Sequence, residues 1–221
     1  MTASKEAPLE LDHGLSGDGL AWDKMHGLLP AIIQHARSGV VLMLGYMDRD
    51  ALNASLATRR VTFYSRSRQR PWTKGETSGH YLDIVGITAD CDQDALLVRA
   101  LPRGPVCHTG ALDCFSPEAG DPPLAFLTVL EDLLPARIAA GEAQSYTARL
   151  AASGIARIAQ KVGEEGVEVA LAAVTADAPA LTGEAADLVY HLLVLLHARG
   201  LALTDVSTEL ARRHAAPKPA P

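Results

Sequence analysis

The stretch SPEAGDPP at residues 116–123 divides this 221-residue chain into two parts of different character. Three prolines and a glycine within eight residues disfavour both helix and strand, so the stretch predicts a linker. The part before it contains short runs rich in Val, Ile, Leu and aromatic residues, which predict strands at 40–44, 61–64, 81–87 and 95–100. The part after it has helical periodicity at 124–140, 154–175, 179–199 and 203–214.

We therefore expect a strand-rich α+β domain followed by an all-α helical bundle. One helix is also predicted in the first part, at 48–58, with Asp48 as its N-cap. The expected organisation is an N-terminal extension at 1–19, a first domain at 20–115, the linker at 116–123, a second domain at 124–214 and a disordered tail at 215–221.

The amino-acid composition limits the kinds of partner that the protein is expected to bind. The formal charge of −6 gives no support for general binding to nucleic acid or to an acidic membrane. Residues 1–20 lack the apolar core of a signal peptide, and the apolar run 188–196 is too short to span a bilayer. An odd number of cysteines without an export signal predicts reduced thiols. We expect a cytoplasmic protein that binds neither membrane nor nucleic acid.

All three cysteines lie near carboxylates or a histidine: Cys91 within DCDQD at 90–94, Cys107 beside His108, and Cys114 seven residues further on. Three thiolates suit zinc and leave its fourth position open to water, as in catalytic sites. Three aspartates suit magnesium. If 90–94 is extended, Asp90, Asp92 and Asp94 share one face. The alternative is three unrelated buried cysteines.

The second motif of the first domain is SRSRQRPWTKGETSGH at residues 65–80. Hydroxyls, glycines and cations of this kind hold phosphate groups. Residues 59–74 contain six basic side chains and no acidic one, which favours a polyanionic small ligand. The order of a Walker A loop is absent. A solvated basic loop is the alternative.

These motifs resemble the phosphoribosyl-AMP cyclohydrolase family over residues 20–115. The resemblance implies zinc bound by Cys91, Cys107 and Cys114, with Cys91 contributed across a homodimer interface, and magnesium bound by Asp90, Asp92 and Asp94. It implies hydrolytic opening of the adenine ring. The chemistry of this step makes His108 a candidate proton shuttle, and a buried structural histidine is the alternative. Pro71 and His80 depart from the family pattern. The expected substrate-binding residues are Arg66, Ser67, Arg68, Trp72, Thr73, Lys74, Gly75, Glu76, Thr77, Ser78 and Gly79.

The second domain has acidic groups on two successive helices. The sequence KVGEEGVE at 161–168 puts its acids beside an apolar stripe, where carboxylates are costly unless a cation meets them. Glu184, Asp187 and His191 follow on the next helix with one-sided spacing. Two such helices would make an oxygen cage for magnesium and polyphosphate. A solvated charged face is the alternative.

The segments SYTARL at 145–150, RIAQKVGEE at 157–165 and EAADL at 184–188 resemble phosphoribosyl-ATP pyrophosphohydrolase, an all-α family related to magnesium-dependent nucleotide pyrophosphatases. Gly166 stands where Ala is expected. The resemblance implies magnesium held by Glu164, Glu165, Glu168, Glu184 and Asp187. Glu165 is also a candidate catalytic residue, and Arg149, Arg157 and Lys161 are candidates for binding phosphate.

The order of the two domains resembles the bifunctional enzymes of histidine biosynthesis. Phosphoribosyl adenine nucleotides would then be the substrates, and Zn²⁺ and Mg²⁺ the cofactors. Two alternatives stay open from the sequence. One is a house-cleaning pyrophosphatase that acts on damaged nucleoside triphosphates. The other is a zinc-dependent module that binds RNA through residues 59–74.

Overall fold

The computed structural model of the protein describes residues 17–115, 122, 124–141, 143 and 145–215. The chain divides into two compact units, and the division falls between Ala125 and Phe126. The predicted N-terminal extension, linker and tail lie almost entirely outside the described residues. The exceptions are a short 3-10 helix at Gly17–Gly19, Pro122, and Ala215, which ends a helix.

The first unit is built on a four-stranded sheet with the strand order β2-β1-β6-β5. Strands β1 and β6 are parallel, and the two outer strands pair antiparallel with them. A separate ribbon of β3 and β4 is antiparallel. The strands are β1 Leu29–His35, β2 Val41–Met47, β3 Thr62–Ser65, β4 Arg70–Thr73, β5 Leu82–Ala89 and β6 Leu96–Pro102.

A single helix, α1 at Arg49–Thr58, links the sheet to the ribbon. Its predicted N-cap is confirmed, because Asp48 Oδ1 accepts a hydrogen bond from Ala51 N at 2.8 Å. The buried hydroxyl of Ser55 donates to the carbonyl of Ala51 at 2.8 Å and accepts from Thr62 N at 2.9 Å. These bonds tie α1 to the start of β3, which leads directly into the predicted phosphate-binding motif.

The second unit consists of helices, with α4 and α5 forming an extensive pair. Its buried core is small and contains Leu134, Leu150, Ile158, Leu193 and Val194. Helix α4 continues through Gly166 without interruption. The helices are α2 Ala125–Ala139, α3 Tyr146–Ala152, α4 Ile155–Thr175, α5 Ala178–Ala198 and α6 Leu203–Ala215.

Helix α5 is longer than the apolar run seen in the sequence. Among the described helices it alone is long and apolar enough to cross a bilayer, by length and composition. This is weak evidence for a membrane span, because the core helices of soluble proteins pass the same test. The helix also carries Glu184 and Asp187, which belong to an acidic cluster with Glu165 of α4.

The predicted strands and the four predicted helices of the second part are confirmed, with ends displaced by a few residues. Strands β1 and β4 and helix α3 were not predicted. Pro30 lies in β1 and Pro71 in β4, and proline lowers the strand signal of a sequence. The extended conformation considered for 90–94 is wrong. These residues form a turn between β5 and β6, with Gln93 at φ +62°.

Replacement of Gly45 tests the packing of β2 against the ribbon. A Cβ at Gly45 would lie 2.3 Å from Cδ1 of Phe63, a core side chain that is 1% exposed. We expect Gly45→Ala to lower the free energy of unfolding of the first unit by about 1–3 kcal/mol, measured by urea denaturation. In contrast, Gly166→Ala meets open space and should stabilise the second unit by about 0.5–1 kcal/mol. An unchanged unfolding midpoint for Gly45→Ala would contradict this packing.

Candidate functional site

A cavity of about 700 Å³ lies in the first unit, where the β3–β4 ribbon, the loop after it and the segment after β6 come together. Nine of the eleven predicted substrate-binding residues of this unit line it. These nine are Ser67, Arg68, Trp72, Thr73, Lys74, Gly75, Glu76, Thr77 and Ser78; the other lining residues are Met43, Ser65, His80, Pro105, Val106, Cys107, His108, Gly110 and Cys114.

The two remaining predicted residues, Arg66 and Gly79, do not line the cavity. The guanidinium carbon of Arg66 lies 4.2 Å from the centroid of the Tyr46 ring, a cation–π contact. Gly79 donates its N–H to the carbonyl of Gly75 at 2.8 Å and so closes the loop. Gly75 has φ +89°, and a Cβ there would lie 2.4 Å from the backbone of His80. The loop therefore requires glycine at this position.

Two of the three cysteines, Cys107 and Cys114, lie in the cavity wall. Hydrogen bonds from the side chain and the backbone of Thr109 lower the pKa of the Cys107 thiol. Burial raises the pKa of the Cys114 thiol, and the neighbouring Cys107 adds to the increase. The Nδ1 atom of His108 lies 3.7 Å from Cys107 Sγ. Two thiols and an imidazole thus share one wall of the cavity.

Cys91 lies apart from this wall, in the exposed turn between β5 and β6. Two groups of three potential metal-binding side chains, with ligand atoms within 4.8 Å of one another, occur among the described residues. Neither group contains a cysteine. Cys91 therefore does not complete a three-cysteine site with Cys107 and Cys114 of its own chain.

The three aspartates of this turn form one of those groups, with carboxylate oxygens within 4.8 Å of one another. Asp90 holds the turn, because its Oδ1 accepts from the N–H groups of Asp94 at 3.0 Å and Ala95 at 3.1 Å. Lys24 forms ion pairs with Asp92 and Asp94, the second at 2.5 Å. Sequence reasoning missed Lys24, because nothing in the spacing of residues links it to a turn 68 positions away.

A second acidic group joins Glu165 of α4 to Glu184 and Asp187 of α5, again within 4.8 Å. Glu165 is only 4% exposed. Its carboxylate accepts from Lys161 Nζ at 2.7 Å, and this contact is the main reason that the pKa of Glu165 is lowered. The structure thus brings three of the five predicted magnesium ligands of this unit together.

The other two predicted ligands have different surroundings. Glu164 pairs with Arg157 at 3.1 Å and with Lys161 at 3.2 Å, so its charge is already matched by two of the predicted phosphate-binding cations. Glu168 is exposed, and a hydrogen bond with Glu165 raises its pKa. The third predicted cation, Arg149, is exposed on α3.

His191 of α5 is a buried neighbour of Glu165 that the sequence marked only as part of an acidic helix face. Its Nδ1 lies 2.8 Å from the carbonyl oxygen of Asp187 and 3.5 Å from Glu165 Oε1. A carbonyl oxygen only accepts, so Nδ1 carries the proton, and in the neutral ring Nε2 accepts from the hydroxyl of Tyr146 at 2.9 Å. Tyr146 thereby joins α3 to the acidic cluster.

Comparison with known proteins gives the class of protein that these two units form. Residues 43–116 match the family model of phosphoribosyl-AMP cyclohydrolase, and residues 127–214 match that of phosphoribosyl-ATP pyrophosphohydrolase. The chain is therefore a bifunctional hydrolase with one of these domains in each half.

Whole-chain relatives carry the same pair of domains. The chain is 57% identical over 195 residues to the histidine biosynthesis bifunctional protein HisIE of Escherichia coli (strain K12), which covers 88% of this chain and 95% of the relative. It is 55% identical over 195 residues to that of Yersinia pestis, with the same coverage. For Vibrio cholerae the identity is 54% over 198 residues, covering 89% and 94%.

The chain belongs to the family of histidine biosynthesis bifunctional proteins. Its helical domain converts phosphoribosyl-ATP to phosphoribosyl-AMP and pyrophosphate, and its N-terminal domain then opens the adenine ring of phosphoribosyl-AMP by hydrolysis. This membership favours the bifunctional interpretation over the house-cleaning pyrophosphatase and the RNA-binding module.

The hydrogen bond between the buried Thr147 hydroxyl and Tyr190 Oη, 2.6 Å long, joins α3 to α5. We expect Thr147→Val and Tyr190→Phe each to lower the free energy of unfolding of the helical unit by about 1–2 kcal/mol, because each leaves the other hydroxyl unpaired. The double variant should lose clearly less than the sum of the two. Urea denaturation of the four proteins measures the coupling, and strictly additive losses would contradict the bond.

Proposed function

We propose that ring opening takes place in the 700 Å³ cavity and uses a zinc ion held by Cys91, Cys107 and Cys114. The chemistry of the donors fits zinc, because thiolate sulfur is a preferred zinc ligand and the pKa of Cys107 is already lowered by its hydrogen bonds. Zinc held by these three residues would supply a water of lowered pKa to the cavity. The main support for this proposal is that Cys107, His108 and Cys114 all line the cavity.

His108 is the residue of this wall that can move a proton. Its Nδ1 faces Cys107 Sγ at 3.7 Å, which leaves Nε2 to exchange a proton with the water or with a ring nitrogen of the substrate. Imidazole suits this role because its ordinary pKa is near neutrality.

The remaining polar groups of the cavity bind the phosphoribosyl parts of the substrate. Arg68 and Lys74 supply positive charge, and the hydroxyls of the same loop supply further hydrogen bonds. The Trp72 ring, 5.6 Å from the Phe63 ring, is supported from the core and can contact the adenine. Arg66 and Gly79 act indirectly, by shaping the loop.

The distance of Cys91 from its own cavity supports a homodimer in which the partner supplies this ligand. The four-stranded sheet also has an apolar face that the described residues leave open. Leu44, Ile32 and Leu97 are in register across β2, β1 and β6, and Leu44 and Leu97 are 47% and 37% exposed. Burial of such a row against a second copy is favourable. The turn with Cys91 connects β5 to β6 of this sheet.

Pyrophosphate release takes place at the acidic cluster of the helical domain. Glu165, Glu184 and Asp187 would hold Mg²⁺ together with the triphosphate, and Glu164 and Glu168 lie on the same helix as Glu165. Glu165 is the proposed catalytic carboxylate. Lys161 and Arg157 already balance two of these carboxylates, and with Arg149 they would neutralise phosphate charge.

The remaining proposals concern a second metal site, the domain boundaries and the place where the protein acts. Asp90, Asp92 and Asp94 would hold a second magnesium ion, since their oxygens lie within 4.8 Å of one another. The domains would extend over 20–115 and 124–214, joined by 116–123. The protein would act in the cytoplasm on phosphoribosyl adenine nucleotides, and neither membrane nor nucleic acid would be a partner, in keeping with the net charge of −6.

Replacement of Cys107 separates the two activities. We expect Cys107→Ala to reduce ring opening by at least about 100-fold, since even groups that only support a metal ligand contribute 10- to 100-fold. Pyrophosphate release from phosphoribosyl-ATP should be unchanged. Mass spectrometry of both products measures this. Glu184→Gln is the matched control: it should lose pyrophosphate release but still open the ring of phosphoribosyl-AMP that is supplied directly. Loss of both activities in Cys107→Ala would contradict independent sites.

A mixture of two inactive variants tests whether Cys91 comes from the partner. If it does, a heterodimer of Cys91→Ala and Cys107→Ala chains contains one intact and one doubly damaged site. Unfolding and refolding an equal mixture makes half of the dimers mixed, so ring opening should recover to about a quarter of the unmodified activity. Either variant refolded alone is the control. No recovery in the mixture would contradict a ligand supplied by the partner.

A further inference from the structure

Lys24 is held in place by a short anchored segment ahead of β1. Leu20 and Trp22 are buried in the core of the first unit, 5% and 3% exposed. The indole Nε1 of Trp22 donates to the carbonyl of Gly17 at 2.7 Å, and Lys24 N donates to the carbonyl of Ala21 at 3.1 Å. The position of the Lys24 backbone is therefore fixed by the core rather than by its ionic contacts.

The same segment is bonded to the turn that carries the aspartates. Ala21 N donates to the carbonyl of Gln93 at 2.8 Å. From this position the ammonium of Lys24 contacts both Asp92 and Asp94. Both contacts are ion pairs between the ammonium and a carboxylate. It lies against two of the three carboxylates that face one another within 4.8 Å.

Three carboxylates at this spacing repel one another, and one ammonium compensates only part of their charge. A divalent ion needs carboxylate oxygens of Asp92 and Asp94 as ligands, and Lys24 contacts one oxygen of each carboxylate. Like charges also repel, so the ammonium and the ion are poor neighbours. Half of the Lys24 side chain is exposed, at 51%, so it can swing into solvent without disturbing the core.

We propose that Lys24 is a tethered cation that holds the aspartate turn together without metal and that must leave Asp92 and Asp94 before a divalent ion binds there. The inference rests on the proposed magnesium site at Asp90, Asp92 and Asp94 and adds an exchange of one cation for another. Lys24 thereby lowers the affinity of the site for the ion and stabilises the metal-free turn. It is a residue that regulates metal binding, and it takes no part in the chemistry.

The positions of the two tryptophans allow a selective test. Trp22 and Trp72 are the only tryptophans of the chain, and both belong to the first unit. Emission of Tb³⁺ excited through tryptophan arises only from ions that lie close to one of these two residues, and its loss in Asp92→Asn would assign it to the aspartate turn. Titration with Mg²⁺, which displaces Tb³⁺, gives the magnesium affinity of the full-length protein.

The decisive variant is Lys24→Met, which keeps the length of the side chain and removes its charge. We expect Lys24→Met to bind Mg²⁺ about 3- to 10-fold more tightly than the unmodified protein. Without metal its first unit should melt at a lower temperature, and with saturating Mg²⁺ it should melt no lower than the unmodified protein. Lys24→Arg keeps the charge and should change the affinity little.

Two results would overturn the inference in distinguishable ways. If Lys24→Met binds Mg²⁺ equally or more weakly while Asp92→Asn abolishes binding, the metal site exists but Lys24 does not compete for it. If Asp92→Asn leaves the tryptophan-excited Tb³⁺ emission and its displacement by Mg²⁺ unchanged, the proposed magnesium site itself is wrong.

Discussion

The repulsion between clustered carboxylates is a physical constraint that both halves of this protein must meet. Each half of the chain brings three carboxylates within 4.8 Å of one another, and in each half a lysine pairs with members of the group. Such clusters are costly unless cations meet them. Other contacts must therefore hold each group of carboxylates together. In the first domain these are the hydrogen bonds of a turn, and in the second they are the contacts between two long helices.

The fold class could be predicted from the sequence because its signals are local. The Asp48 cap and the periodicity of α4 and α5 each depend on residues near one another in the chain. Strand β1 was missed because Pro30 weakens its local signal and because one of its two pairing partners, β6, lies far away in the sequence. Helix α3 is only seven residues long, and its support comes from the bonds of Tyr146 and Thr147 to α5.

In the candidate sites, too, some features depend on neighbouring residues in the sequence and others on contacts between distant ones. Motif spacing identified the cavity loop, because one continuous segment supplies most of its wall. It could not separate Glu165 from Glu164 and Glu168, which occupy the same helix but differ in burial. The difference arises because Glu165 faces α5, where its Oε1 lies 3.5 Å from His191 Nδ1, while Lys161 of its own helix donates to it. No local pattern encodes such contacts, and the same holds for Lys24 and its aspartates.

The two lysines differ in a way that bears on metal binding. Lys161 lies on the same helix as its partners, at i+3 and i+4 spacing, and touches Glu164 as well as Glu165. It can therefore stay beside the cluster on the α4 side while an ion binds between Glu165 and the two α5 carboxylates, and its charge then remains available to phosphate. Both ion-pair partners of Lys24 belong to the proposed metal site. Lys24 therefore has no carboxylate outside that site among its contacts. The same side-chain chemistry would thus support ligand binding in one domain and compete with the metal in the other, because Glu164, one partner of Lys161, lies outside the three-carboxylate group, whereas both partners of Lys24 lie inside theirs.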